Sequence, residues 1–109
     1  MSYDVELQAK IQDVNKWVEL GDSFNITFNL ADMFHECIGS TPREWDGMNA
    51  GELEPELRKA IIDIGLNAEY YKQFEAKNGW GTIDGCLHFM RGLADCCYQY
   101  PYATVRTSC

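Results

Sequence analysis

Ten residues near the N-terminus constrain this chain more than any others. Tyr3, Val5, Leu7, Ala9 and Ile11 alternate with Asp4, Glu6, Gln8, Lys10 and Gln12, a period of two that only an extended strand satisfies. Such a strand has one apolar and one wet face. The rest of the chain must therefore supply a neighbouring strand and a layer that covers the apolar side.

Asp13-Val14-Asn15-Lys16 offers turn residues, and Trp17-Val18-Glu19-Leu20 predicts a short antiparallel return that Gly21-Asp22 breaks. Phe24 to Asn29 alternates again and runs directly into Leu30, Met33, Phe34, Cys37 and Ile38, whose spacing is helical. Asn29 is the expected N-cap of that helix, with Asp32 in its first turn and Gly39 as its stop. A polar connection carrying Trp45 follows, from Ser40 to Gly51.

The covering layer comes next. Leu53, Leu57, Ala60, Ile61 and Ile64 form one apolar stripe, with Pro55 read as a first-turn residue. Asn67-Ala68-Glu69 caps a short continuation through Tyr70, Tyr71 and Phe74. Asn78-Gly79-Trp80-Gly81 is a tight turn anchored by a buried Trp80, and Thr82 caps a last helix. Its apolar positions are Ile83, Cys86, Leu87, Met90, Leu93, Ala94 and Cys97. On its outer side, Asp84 with His88 and Arg91 with Asp95 stand at i,i+4. Pro101 ends it, and Tyr102 to Thr107 predicts a closing strand beside the N-terminal hairpin. The fold class is α+β: a small antiparallel sheet, made of the N-terminal hairpin plus a C-terminal strand, packed against three to four helices. The 109 residues suit a single compact domain over 1–109, with enough apolar side chains for a core that needs no metal or disulfide.

Charge narrows the function classes. Residues 1–56 hold twelve Asp or Glu against three Lys or Arg, whereas residues 57–109 hold five against six, within a total of −8. A field of that sign repels phosphate backbones and anionic membranes, so direct nucleic-acid binding and membrane attachment are not expected. Its natural complement is a basic protein surface. The N-terminal Met-Ser-Tyr-Asp-Val-Glu lacks the basic and apolar regions of a secretory signal, and no run approaches a membrane span. A cytoplasmic location is expected, in which Cys37, Cys86, Cys96, Cys97 and Cys109 stay reduced, with Cys37, Cys86 and Cys97 as small core residues.

The candidate chemistries fit poorly. His35 with Cys37 and Cys86 with His88 are two apart, about 200° around a helix, so neither pair closes on one zinc. Either His could serve a Cys nucleophile only if the fold united them. Gly79-Trp80-Gly81 lacks the Gly-Lys-Ser/Thr ending of a phosphate loop. No catalytic residue, metal or cofactor is expected. Glu52, Glu54 and Glu56 could imitate nucleic-acid phosphates, although their place at a helix start already suits the positive end of its dipole.

Asn25-Ile26-Thr27-Phe28-Asn29-Leu30, the Leu53 to Ile64 helix, Asn78-Gly79-Trp80-Gly81-Thr82 and a final helix ending Cys96-Cys97 before Pro101 form a pattern covering roughly residues 1–107. The pattern resembles a family of small uncharacterised proteins encoded by bacteriophages and prophages, from which the chain departs in its cysteine content. The resemblance implies an accessory phage product acting in the bacterial host cytoplasm, and it carries no catalytic residues. The expected function is a non-enzymatic, anti-CRISPR-like inhibitor that binds a basic surface of a host defence protein, such as a CRISPR effector. Its candidate contact surface is Asp32, Glu36, Glu44, Asp46, Glu52, Glu54 and Glu56. The alternative is a small-molecule-binding or sponge protein that sequesters a host signalling metabolite, with Asn25, Asn29, Trp45 and Trp80 lining a pocket.

Overall fold

The alternating N-terminal segment is the central strand of the sheet. A computed structural model describes residues 1–11 and 15–109; the turn expected at Asp13-Val14 lies outside the described residues. Strand β1 (Ser2–Ile11) pairs antiparallel with β2 (Lys16–Thr27) on one side and with β3 (Thr104–Ser108) on the other. Between the strands lie helices α1 (Ala31–Cys37), α2 (Ala50–Leu66), the short α3 (Ala68–Tyr71) and α4 (Ile83–Gln99). Three-residue or four-residue 3-10 turns occupy Phe28–Leu30, Pro42–Trp45 and Lys72–Phe74. The protein is thus α+β, with a three-stranded antiparallel sheet and four helices among the described residues.

Alternation places Tyr3, Val5 and Leu7 in the core and leaves Asp4 and Lys10 exposed. The inner face continues through Ile26 opposite Tyr3 and Val105 opposite Leu7. Gly21-Asp22 does not break the return strand. Instead the register shifts between Val5, opposite Phe24, and Leu7, opposite Leu20, so one long strand carries a bulge. Gly21 sits there at φ +73°, and a Cβ on it would fall 2.5 Å from the Cys96 sulfur. A glycine both permits that backbone and lets α4 approach.

Helix α4 begins where its cap signal stands. Thr82 Oγ1 accepts from the Gly85 N–H at 3.0 Å, and Glu75 Oε2 accepts from the Ile83 N–H at 2.8 Å. It buries Ile83, Cys86, Met90, Leu93, Ala94 and Cys97 as the spacing predicts, and Phe89 and Cys96 besides. The wider apolar side has a cause: α4 packs on α2 and on the sheet at once, with Phe89 edge-on to Phe24. Gly92 makes that approach possible, since a Cβ there would meet the Phe24 ring at 2.9 Å.

Three local expectations change. Asn29 does not cap α1; Thr27 Oγ1 accepts from the Asn29 N–H and starts the 3-10 turn, leaving α1 to begin at Ala31 without a side-chain cap. Pro55 is the sixth residue of α2, and it stays exposed. There it denies the Gly51 carbonyl its helical donor. Asp95 pairs with Arg58 of α2 at 2.9 Å rather than with Arg91, and His88 has no carboxylate within 4.0 Å among the described residues. A contact between helices replaces one along a helix.

The connection before α2 closes the sheet. Trp45 is 1% exposed, edge-on to Phe34 and stacked with Phe89 at a centroid distance of 6.3 Å. Its indole N–H donates to Ser40 Oγ at 2.8 Å. Beyond it, the Gly47 N–H donates to the Val105 carbonyl, the Val105 N–H to the Met48 carbonyl, and the Thr107 N–H to Asp46 Oδ1. The outer edge of β3 is thereby covered rather than left open to another chain.

Candidate functional site

The seven candidate acids separate by what holds them. Asp32 and Glu36 project from α1, Glu44 and Asp46 from the 3-10 turn around Trp45, and Glu52 from the first turn of α2; all five are exposed. Contact between Phe34 of α1 and Trp45 joins the first two segments. Among the described residues, no Lys, Arg or His nitrogen comes within 4.0 Å of these five carboxylates. Glu54 and Glu56 differ. Glu54 is half-buried and bonded to Arg58 at 3.3 Å, and Glu56 lies 3.8 Å from Lys59.

Two of the five also hold the fold. Asp46 accepts from the Thr107 backbone, as above, and Glu36 Oε1 accepts from the Tyr70 hydroxyl at 2.5 Å. That bond raises the Tyr70 phenol above its usual range, because losing its proton would set a phenolate against a carboxylate. Beside it, the buried Tyr71 hydroxyl donates to Asp63. Burial first and this bond second push the Tyr71 phenol well up. The two tyrosines tie α3 to α1 and α2, a role invisible in the sequence because neither carboxylate is near them along the chain.

The four polar and aromatic residues of the alternative reading do not meet in one pocket. Trp45 is a core residue, for the packing reason given above. Asn25 is exposed in β2, opposite Asp4, and its amide donates to Ser2 Oγ and Asp4 Oδ1, both at 2.8 Å. Only Asn29 and Trp80 come together. They share a hollow of about 460 Å³ with Met1, Thr27, Phe28 and Asn78.

Trp80 also overturns its expected burial: it is 73% exposed. The turn is anchored by its backbone instead. The Trp80 N–H donates to Asn78 Oδ1 at 3.0 Å, the Asn29 amide donates to the Trp80 carbonyl at 3.1 Å, and the Ala76 N–H donates to the Gly81 carbonyl at 2.9 Å. Gly81 is itself buried, and a Cβ on it would lie 3.3 Å from Leu30.

The nucleophilic and metal-ligating residues stay apart. Burial pushes the Cys37 and Cys97 thiols up to about 12 and raises Cys86 further, which keeps them protonated. His35 and His88 are exposed on separate helices, α1 and α4. Among the described residues, no group of three or more His, Cys, Asp or Glu is placed to hold a metal, and no helix is long and apolar enough to cross a membrane. On the outer sheet face, the charge of Glu6 raises the Glu19 carboxyl, and the Arg106 guanidinium lies 4.9 Å from the Trp17 ring centre.

Neither a family model, a curated protein nor a solved structure matches the chain.

Proposed function

We propose that this protein is a phage-encoded, non-enzymatic inhibitor that binds a basic surface of a host defence protein in the bacterial cytoplasm. The observation that carries the reading is the group Asp32, Glu36, Glu44, Asp46 and Glu52, exposed and without a cation within 4.0 Å among the described residues. Carboxylates left without an internal cation are free to be neutralised by an external one. Glu54 and Glu56 fall outside this surface, because Arg58 and Lys59 already answer them. The phage setting rests on the sequence resemblance, and a CRISPR effector, with its positively charged nucleic-acid channel, is one target class of the right sign.

Electrostatic attraction between exposed groups steers association and weakens as salt screens it over roughly 10 Å at 0.1 M. Affinity capture from host lysate tests the reading. A specific protein partner is expected at low ionic strength and is released as salt rises. Absence of any partner at low salt, or capture indifferent to salt, contradicts it.

A further inference from the structure

We infer that the hollow around Trp80 is a binding site for a neutral saccharide ring, independent of the acidic surface. The turn spends its backbone on fixing itself. The N–H and carbonyl of Trp80 are both taken, by Asn78 and Asn29, and Gly81 is packed against Leu30. What remains is an indole on a hydrogen-bonded turn, 73% exposed, at the rim of a hollow of about 460 Å³. The hollow is open to solvent on one broad side, so it offers a face to a ligand rather than enclosing it.

The lining selects the ligand class. Met1, Thr27, Phe28, Asn29, Asn78 and Trp80 include no Asp, Glu, Lys or Arg, and the protein as a whole carries −8. An anionic ligand would meet one cation there, the Met1 α-ammonium, but would have to enter against the long-range field of a protein that is negative overall. A neutral ligand needs one apolar face for the indole and polar groups at its edge for the amides. A saccharide ring has both. Its C–H bonds, carrying slight positive charge, sit on the negative face of the aromatic quadrupole.

The hydrogen-bonding groups left over favour hydroxyls. Asn78 has committed its carbonyl and keeps its N–H donors; Asn29 has committed a donor and keeps its carbonyl. A hydroxyl can serve either, since it donates and accepts. A flat heterocyclic base fits less well, because it gains most from being held between two rings. The other ring of the hollow, Phe28, already packs on Tyr3 at a centroid distance of 4.4 Å.

The test is a titration of the full-length, isotope-labelled protein, followed by NMR. Methyl glucoside, methyl mannoside, N-acetylglucosamine and cellobiose are the probes, with adenosine as the flat-base comparison. At least one saccharide is expected to shift the Trp80 indole N–H and the Asn29 and Asn78 amide signals, with millimolar affinity. Trp80→Ala is expected to weaken binding at least tenfold with the remaining spectrum unchanged, and Asn78→Ala, which also removes the acceptor of the Trp80 N–H, to weaken it severalfold while shifting the signals of the turn itself. Trp80→Phe, which keeps a ring, should retain part of the affinity. No shift with any saccharide, shifts that survive Trp80→Ala, or tighter binding of adenosine would overturn the proposal.

Discussion

Trp45 and Trp80 stand in similar sequence, each in a polar connection between helices with glycine close by, yet their surroundings are opposite. Around Trp45 the side chain is the anchor: the indole is enclosed by Phe34 and Phe89, its N–H is satisfied by Ser40, and the loop follows it. Around Trp80 the backbone is the anchor, and the side chain is turned out. The difference separates two uses of one residue type. Burying an indole stabilises the fold, whereas exposing one on a fixed turn offers surface to something else.

Substitutions can break this contrast, and their expected effects fall in a clear order. Trp45→Ala removes a fully enclosed ring and is expected to cost about 3–5 kcal/mol, read by urea denaturation. Gly81→Val forces a branched side chain against Leu30 and should cost about 1–3 kcal/mol in the same measurement. Asn29→Ala loses one exposed hydrogen bond to the Trp80 carbonyl, for about 0.5–1.5 kcal/mol. Trp80→Ala should change stability by less than about 0.5 kcal/mol. Should Trp80→Ala destabilise as much as Trp45→Ala, the two regions are alike and the contrast fails.

The sequence was most legible where structure is local. The alternation of Tyr3, Val5 and Leu7, the Thr82 cap and the extended character of the C-terminal segment rest on nearby residues or on a simple period and are found in the fold, whereas Ile11, at the end of the same alternation, is 40% exposed. Features set by distant partners were not legible. Gly21 reads as a breaker until Cys96 is seen against it, and Asp95 reads as a partner of Arg91 until Arg58 arrives from another helix. Trp45 and Trp80 fail for the same reason: nothing within their loops says whether Phe34 and Phe89, or solvent, will face the ring.

The candidate surface shows the same division. Exposure of Asp32, Glu36, Glu44, Asp46 and Glu52 follows from charge alone. Glu54 was separable in principle, since Arg58 stands four residues on. That Asp46 holds β3 and Glu36 holds Tyr70 depends on the tertiary fold. Any surface-neutralising variant must therefore leave Asp46 in place and replace Glu36 only by Gln, whose carbonyl can still accept from the Tyr70 hydroxyl.

The most direct measurement of the proposed function compares two variants that change charge equally. One carries Asp32→Asn, Glu36→Gln, Glu44→Gln and Glu52→Gln; the other carries Glu19→Gln, Asp22→Asn, Glu69→Gln and Asp84→Asn, four exposed acids outside that surface. Low-salt capture of the host partner is the readout, with circular dichroism confirming that both fold. The first variant is expected to lose at least tenfold in binding while the second stays within about twofold of the parent protein, since distant charges are screened. Equal loss in both, or full binding by the first, would contradict docking through this surface.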